Sequence, residues 1–143
     1  MGCALAAGAA RADDNALAAA FGERFAAVTG DIWANKQAAK FVSEFYTKDA
    51  VGTMEGATTV YRGADALTKL MGPFMENYQP MQFHSYRITG LGAKAASQFV
   101  LIDVIPKDPK ATTLHFKCLY AWTKTSQGWR VASDLCATGG MEP

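Results

Sequence analysis

Residues 112–137, TTLHFKCLYAWTKTSQGWRVASDLCA, contain two aromatic-rich apolar runs on either side of Ser126-Gln127-Gly128. Such runs predict two strands, and the tripeptide between them predicts a tight hairpin turn. Two further runs of this kind, residues 81–89 and 95–105, come earlier in the chain and are separated by Gly90-Leu91-Gly92. The second half of the chain therefore predicts an antiparallel meander of four strands.

The predicted turn determines which side chains of the hairpin face each other. A three-residue loop with Gly128 in the left-handed conformation places Thr125 opposite Trp129. The pairs on one side are then Trp122 with Ala132, Tyr120 with Asp134, and Cys118 with Cys136, while His115, Leu119, Val131 and Leu135 lie on the other side. Because opposed residues of a non-hydrogen-bonded pair are close, Cys118 and Cys136 can form a cross-strand disulfide.

The first half of the chain has helical periodicity instead. Apolar residues recur at three- and four-residue steps over residues 15–28, 32–45 and 66–75, with Gly30 interrupting the pattern and Asp65 as an N-cap before the third segment. The third helix is expected to bend at Gly72-Pro73. Three N-terminal helices packed on a strongly curved antiparallel sheet make an α+β fold.

Composition restricts the class of protein further. The chain has 143 residues, half of them apolar, and a net charge of +1, which suits one compact domain over residues 15–143. Scattered Lys and Arg form no basic stripe, so nucleic acid is not an expected partner. No apolar run reaches the ~20 residues that a membrane-spanning helix requires.

The first 14 residues differ from the rest of the chain. MGCALAAGAARA, residues 1–12, is rich in small residues and ends in Ala10-Arg11-Ala12, which resembles the end of a secretory signal. On this interpretation the protein is periplasmic or secreted. The alternative is a disordered Ala-rich tail, or the start of a helix, on a cytoplasmic protein.

Several short motifs resemble the NTF2-like superfamily, which includes ketosteroid isomerase, the SnoaL-type polyketide cyclases and scytalone dehydratase. The matching residues are Trp33, residues 45–51 (FYTKDAV), residues 61–67 (YRGADAL), residues 128–131 (GWRV) and Asp134. The resemblance covers nearly all of the chain after residue 15. It implies a cone-shaped fold whose helices cover the concave face of the sheet. The superfamily holds enzymes, binding modules and association domains, so the fold alone does not determine a function.

The resemblance also implies positions for site residues. The general-base Asp of the isomerases falls at Met54, whose thioether cannot abstract a proton, and the neighbouring Glu55 points to the opposite face of an extended segment. His84 resembles one of two pocket histidines of scytalone dehydratase.

By the same resemblance, the face that holds Tyr120 and Trp122 is the concave one, and four polar residues gather in an apolar funnel there. The residues expected to face inward on the two preceding strands are Phe99, Leu101 and Asp103, and Gln82, His84, Tyr86 and Ile88. The predicted catalytic residues are His84 as proton shuttle, Asp103 as base or acid, and Tyr120 with Asp134 as the pair that binds a carbonyl oxygen.

Each of these residues also has a structural interpretation. Asp103 can bond to the turn at residues 106–109 or to Lys107, and His84 can donate to a backbone carbonyl. Tyr120 and Asp134 can form a cross-strand hydrogen bond that only orders the sheet.

The predicted walls of the substrate pocket are large side chains that can equally belong to the core: Trp33, Tyr46, Met54, Phe74, Phe99 and Trp122. No metal or cofactor motif is present, so no cofactor is expected. The first hypothesis is a cofactor-free isomerase, dehydratase or cyclase that acts on a small hydrophobic ring or polyketide-like compound. The alternative is a non-catalytic ligand-binding or association module that forms a homodimer through the convex face of the sheet.

Overall fold

A computed structural model describes residues 13–140, so most of the predicted tail, including Cys3, lies outside the described residues. The helices are α1 (Asp14–Thr29), α2 (Asp31–Ala34), α3 (Ala38–Phe45) and α4 (Gly63–Asn77). The three predicted helices correspond to α1, α3 and α4. The second is shorter than predicted, because a single helical turn, α2, and a positive φ of 54° at Lys36 precede it.

Helices α1, α3 and α4 pack apolar residues against the sheet. Helix α1 begins at Asp14, where Asp13 caps the first turn through a hydrogen bond from the Asn15 amide. Leu67, Met71 and Met75 of α4 are buried at four-residue spacing. The helix continues through Pro73 to Asn77.

The strands are β1 (Tyr46–Met54), β2 (Tyr61–Arg62), β3 (Gln82–Gly90), β4 (Ala95–Val104), β5 (Leu114–Thr125) and β6 (Gly128–Thr138). They form one sheet in the order β2-β1-β6-β5-β4-β3. The antiparallel meander from β3 to β6 is confirmed, and so is the α+β class. The sheet as a whole is mixed rather than antiparallel, because β1 lies parallel to β6.

The β5–β6 hairpin keeps the predicted cysteine pairing by a different route. Thr125 pairs with Gly128, so the loop has two residues rather than three, and Gly128 has the predicted positive φ, 97°. A bulge at Ala132 adds one residue to β6, so that Trp122 faces Val131. Val131 is therefore buried, and its predicted outward orientation was wrong.

Beyond the bulge, the predicted register of the hairpin holds. Tyr120 faces Asp134, and Cys118 faces Cys136 with a Cα–Cα distance of 4.1 Å. This separation is typical of a non-hydrogen-bonded antiparallel pair. The two cysteines form a disulfide.

On β4 the inward and outward residues are the reverse of those predicted. Val100, Ile102 and Val104 are buried against the helices, whereas Phe99 is 43% exposed on the outer face. Asp103 shares that outer face because side chains alternate along a strand.

On β3 the predicted orientation fails in its first half only. His84 and Tyr86 are exposed, while Phe83 stacks on Phe25 with ring centroids 4.2 Å apart. A register shift between Ser85 and Arg87 then returns Ile88 to the core, as predicted.

Aromatic side chains dominate the core between helices and sheet. Trp122 stacks on Phe21 with ring centroids 4.2 Å apart, and its Nε1 donates to Oε1 of the buried Gln98. Trp33 donates through Nε1 to the Tyr78 carbonyl. Both tryptophans are satisfied core residues, which is the structural interpretation of their positions.

Candidate functional site

A cavity lies between α3, α4, β1 and the helix-facing side of the sheet. It encloses about 60 Å³ that the centre of a water molecule can occupy, several times the ~10–15 Å³ needed for one water. The walls are mostly apolar, and α4 covers the space with Leu67, Leu70, Met71 and Phe74. A pocket of this kind is suited to a small apolar molecule rather than to a charged one.

The polar end of the cavity is formed by Tyr46, Tyr120 and Asp134. Tyr46 is the first residue of β1, and its hydroxyl donates to Oδ2 of Asp134 at 2.7 Å. Tyr120 is the cross-strand partner of Asp134 and is 3% exposed. The Tyr120 hydroxyl makes no hydrogen bond to another residue of 13–140 and so is available to a ligand oxygen.

Burial changes the proton affinity of all three groups. It raises the pKa of Asp134 to about 6, although the hydrogen bond from Tyr46 acts in the opposite direction. Burial, followed by the nearby negative charge of Asp134, raises the pKa of both tyrosines well above the usual range. Both tyrosines are therefore hydrogen-bond donors, and Asp134 is ionised at neutral pH but more basic than an exposed Asp.

Gly52 makes room for the carboxylate of Asp134. The parallel pairing of β1 with β6 places the two residues side by side, and a Cβ added at Gly52 would collide with Oδ1 of Asp134. The glycine sits in a strand where a β-branched residue would otherwise be favoured. A glycine at position 52 is therefore the signal in the sequence for a buried carboxylate beside β1, and the motifs considered in the sequence did not include it.

Of the six predicted pocket-wall residues, the structure places three at the cavity: Tyr46, Met54 and Phe74. Trp33 and Trp122 lie in the core instead, and Phe99 lies on the outer face. Glu55 points away from the cavity and accepts hydrogen bonds from the backbone and side chain of Thr138, which lower the pKa of Glu55.

The four predicted catalytic residues divide between the two faces of the sheet. Tyr120 and Asp134 border the cavity. His84 and Asp103 do meet, with Nε2 of His84 3.0 Å from Oδ2 of Asp103, but on the outer face. Their predicted inward orientation was wrong, since β4 carries apolar residues on both faces.

His115 joins the outer pair, as its predicted outward orientation implies. Its Nδ1 lies 2.7 Å from Oδ1 of Asp103, and both imidazoles are more than half exposed. The hydrogen bond from His115, with a smaller one from His84, lowers the pKa of Asp103. The three side chains therefore form an outer His–Asp–His cluster, separate from the cavity.

Within residues 13–140, no group of three or more His, Cys, Asp or Glu side chains is placed to hold a metal ion. None of the helices in the same range is long and apolar enough to span a membrane.

No protein-family model matches the chain, and no curated protein sequence matches it. Solved structures match it over nearly their whole length at low sequence identity. A ketosteroid isomerase-like protein from Erwinia carotovora atroseptica is 19% identical, with a TM-score of 0.62 and coverage of 90% of this chain and 95% of that chain. A putative dehydratase of the NTF2-like family from Streptomyces avermitilis is 11% identical, with a TM-score of 0.67 and coverage of 90% and 100%.

A third similar structure has a different role in its name. It is a putative calcium/calmodulin-dependent protein kinase II association domain from Xanthomonas campestris, 14% identical, with a TM-score of 0.69 and coverage of 98% of this chain and 95% of that chain. The chain therefore has the NTF2-like, cystatin-like fold, as the sequence motifs predicted. At these identities the likeness establishes the fold and leaves the activity to the site.

Proposed function

We propose that the protein is a cofactor-free acid/base catalyst that shifts a proton on a small, apolar carbonyl compound bound in the cavity. The observation that carries the proposal is the buried Asp134 carboxylate, held by Tyr46 at the end of an apolar cavity with its pKa raised to about 6. A raised pKa near the working pH is typical of general bases.

The geometry supports a division of roles. Tyr120 donates a hydrogen bond to the carbonyl oxygen of the ligand, which stabilises the negative charge that develops there. Asp134 removes a proton from the carbon next to the carbonyl, which gives an enolate and a protonated Asp134. Where the ligand has a double bond between its β and γ carbons, this enolate is a dienolate, and Asp134 returns the proton to the γ carbon, so the net reaction is an isomerisation with all atoms conserved.

Tyr46 is a positioning residue in this scheme. Its hydrogen bond holds the carboxylate of Asp134 towards the cavity and, because it lowers the pKa, keeps Asp134 ionised at neutral pH. If the ligand instead carries a hydroxyl group on the β carbon, that group leaves as water with the proton held by Asp134, and the reaction is a dehydration. The names of two similar structures, a ketosteroid isomerase-like protein and a putative dehydratase, agree with both reactions.

The test uses 3-cyclohexen-1-one, a small ketone with a double bond between its β and γ carbons, and NMR detection of its isomerisation to 2-cyclohexen-1-one. We expect the protein to accelerate this isomerisation and the Asp134→Asn substitution to slow it by about 10²-fold or more, the usual contribution of a general base. Asp103→Asn is the matched control, because Asp103 lies on the outer face. Isomerisation no faster than in buffer would contradict catalysis and favour a non-catalytic ligand-binding module.

We also propose that a second copy of the chain covers the outer face of the sheet. Phe99, Leu119 and Leu135 lie side by side on β4, β5 and β6 and are 43%, 38% and 54% exposed. Apolar patches that cross a sheet in this way mark association surfaces. A symmetric dimer lets the same stripe of three residues meet itself, which is the commonest arrangement of homo-oligomers.

We also propose that the protein is located outside the cytoplasm, because Cys118 and Cys136 form a disulfide. Disulfides persist in oxidising compartments and are rare in the cytosol. This agrees with the signal-like residues 1–12, and the thiol count described below tests it.

A further inference from the structure

A surface groove opens directly beside the cavity. Its lining consists of Tyr61, Ala66, Lys69, Leu70, Pro73 and Phe74. Tyr61, Leu70 and Phe74 also line the cavity, so the two spaces adjoin at β2 and α4. A ligand that is longer than the cavity would extend through this junction into the groove.

The cavity and the groove differ in charge. No Lys, Arg or His of the described residues lines the cavity, and its one charged group is the carboxylate of Asp134. An anionic group inside it would lose hydration without a cation to replace the lost water, and would also be repelled by Asp134. The cavity therefore excludes the charged end of an anionic ligand.

The groove contains a cation in the position that such a ligand needs. Lys69 is exposed on α4, lines the groove and forms no salt bridge within residues 13–140. Leu70, Pro73 and Phe74 line the groove together with Lys69 and are apolar, and Leu70 and Phe74 also line the cavity. A ligand that spanned both spaces would therefore meet a cation at Lys69, apolar side chains at Leu70 and Phe74, and an uncharged donor at Tyr120.

We propose that the ligand is an amphiphilic monocarboxylate, with an uncharged carbonyl or enol oxygen at Tyr120, an apolar ring or chain against the apolar side chains that the two spaces share, and its carboxylate at Lys69. This inference rests on the proposed function, since it assumes that the reacting oxygen is bound at Tyr120. It adds the orientation of the ligand and the chemical class of its outer end.

The test compares two probes that share a phenol ring, whose hydroxyl stands in for the enol oxygen. The probes are 3-(4-hydroxyphenyl)propionate, which has a carboxylate at the end of its tether, and 4-propylphenol, which has a methyl group there. We expect Lys69→Gln to weaken binding of the carboxylate two- to five-fold at low salt, the range for an exposed ion pair, and to leave 4-propylphenol unchanged. Lys69→Glu should weaken the carboxylate further, and 0.5 M NaCl should abolish the differences.

Lys40→Gln is the matched control, because Lys40 is an exposed lysine on α3 that lines neither space. It should change the dissociation constant of neither probe. Equal affinity for the carboxylate probe in the wild type, Lys69→Gln and Lys69→Glu would overturn the inference. If 4-propylphenol still bound, the cavity would remain a ligand site and the proposed function would stand. If neither probe bound and neither altered the titration of Asp134, both the inference and the proposed function would fail.

Discussion

The hydroxyl of Tyr46 at the start of β1 donates a 2.7 Å hydrogen bond to Oδ2 of Asp134 in β6, a residue 88 positions further along the chain. The parallel pairing of β1 with β6 brings the two together at the cavity. This contact fixes the direction of a buried carboxylate and moderates its pKa. The protonation of Asp134 is accordingly the property that connects stability with the proposed chemistry.

Asp134→Asn should stabilise the protein at pH 8 and not at pH 4. The pKa of Asp134 rises from 3.8 to about 6 on folding, because the folded state favours the protonated carboxyl group. The stability that this group contributes is therefore fully present below pH 4 and is lost as the pH rises through 6. A shift of this size corresponds to roughly 3 kcal/mol, so we expect a gain of about 1–3 kcal/mol at pH 8, measured by urea unfolding. Asp103→Asn has the opposite sign: the lowered pKa of Asp103 stabilises the fold above its unfolded pKa, and this is lost as the pH falls.

Tyr46→Phe should raise the pKa of Asp134 above its value of about 6, because the hydrogen bond that Tyr46 donates is what lowers it. A ¹³C NMR titration of the Asp134 carboxyl measures this directly. The control is Tyr61→Phe, since Tyr61 also lines the cavity but makes no hydrogen bond to Asp134. An equal shift in both variants would mean that general loosening of the cavity, and not this hydrogen bond, controls the titration.

Gly52→Ala should displace the Asp134 carboxylate, since the added Cβ collides with Oδ1. We expect a loss of about 1–3 kcal/mol in the free energy of unfolding and a changed Asp134 pKa. Gly22→Ala is the control: Gly22 lies inside α1 with nothing within 4 Å of the added Cβ, so this change should stabilise by about 0.5–1 kcal/mol. An unchanged titration of Asp134 in Gly52→Ala would show that the carboxylate is not held over this glycine.

Replacing Cys118 and Cys136 together by Ala should lower the free energy of unfolding by about 2–4 kcal/mol, because the disulfide closes a loop with a sequence separation of 18 residues. Thiol counting on the full chain, denatured without reductant, should find one free thiol, that of Cys3. A count of three free thiols would show that Cys118 and Cys136 are not bonded, and the support for a location outside the cytoplasm would then be lost.

Leu119→Asp should convert the proposed dimer to a monomer, because the carboxylate would be buried at the centre of the outer apolar stripe. Light scattering coupled to size exclusion measures the mass of both states. Leu91→Asp is the matched control, as Leu91 is 62% exposed in the turn between β3 and β4, away from the stripe. A monomeric wild type would contradict association through this face.

The meander and the cysteine pairing could be predicted because they depend on nearby residues. In the β5–β6 hairpin, Gly128 supplies the positive φ and the apolar alternation supplies the strands. The predicted three-residue loop was wrong, yet the Cys118–Cys136 pair came out correctly. The bulge at Ala132 adds back the residue that the shorter loop removes.

The orientation of β4 could not be predicted, because both of its faces are apolar. Val100 and Ile102 alternate with Phe99 and Leu101, so the pattern of the strand alone does not indicate which set meets the helices. Because the wrong face of β4 was predicted to meet the helices, Asp103 and the neighbouring His84 were both predicted to lie in the cavity. The register of the whole sheet and the packing of α1 decide the matter, as the stacking of Phe25 on Phe83 shows.

The sequence by itself determined the helices, the meander and the class of fold, since these follow from local periodicity and turn chemistry. Only the tertiary structure decided the site. The parallel contact of β1 with β6 joins residues more than 80 positions apart, places Gly52 beside Asp134 and brings Tyr46 within hydrogen-bonding distance. The basicity of Asp134 arises from burial, and burial is a property of the packed chain that no single segment carries.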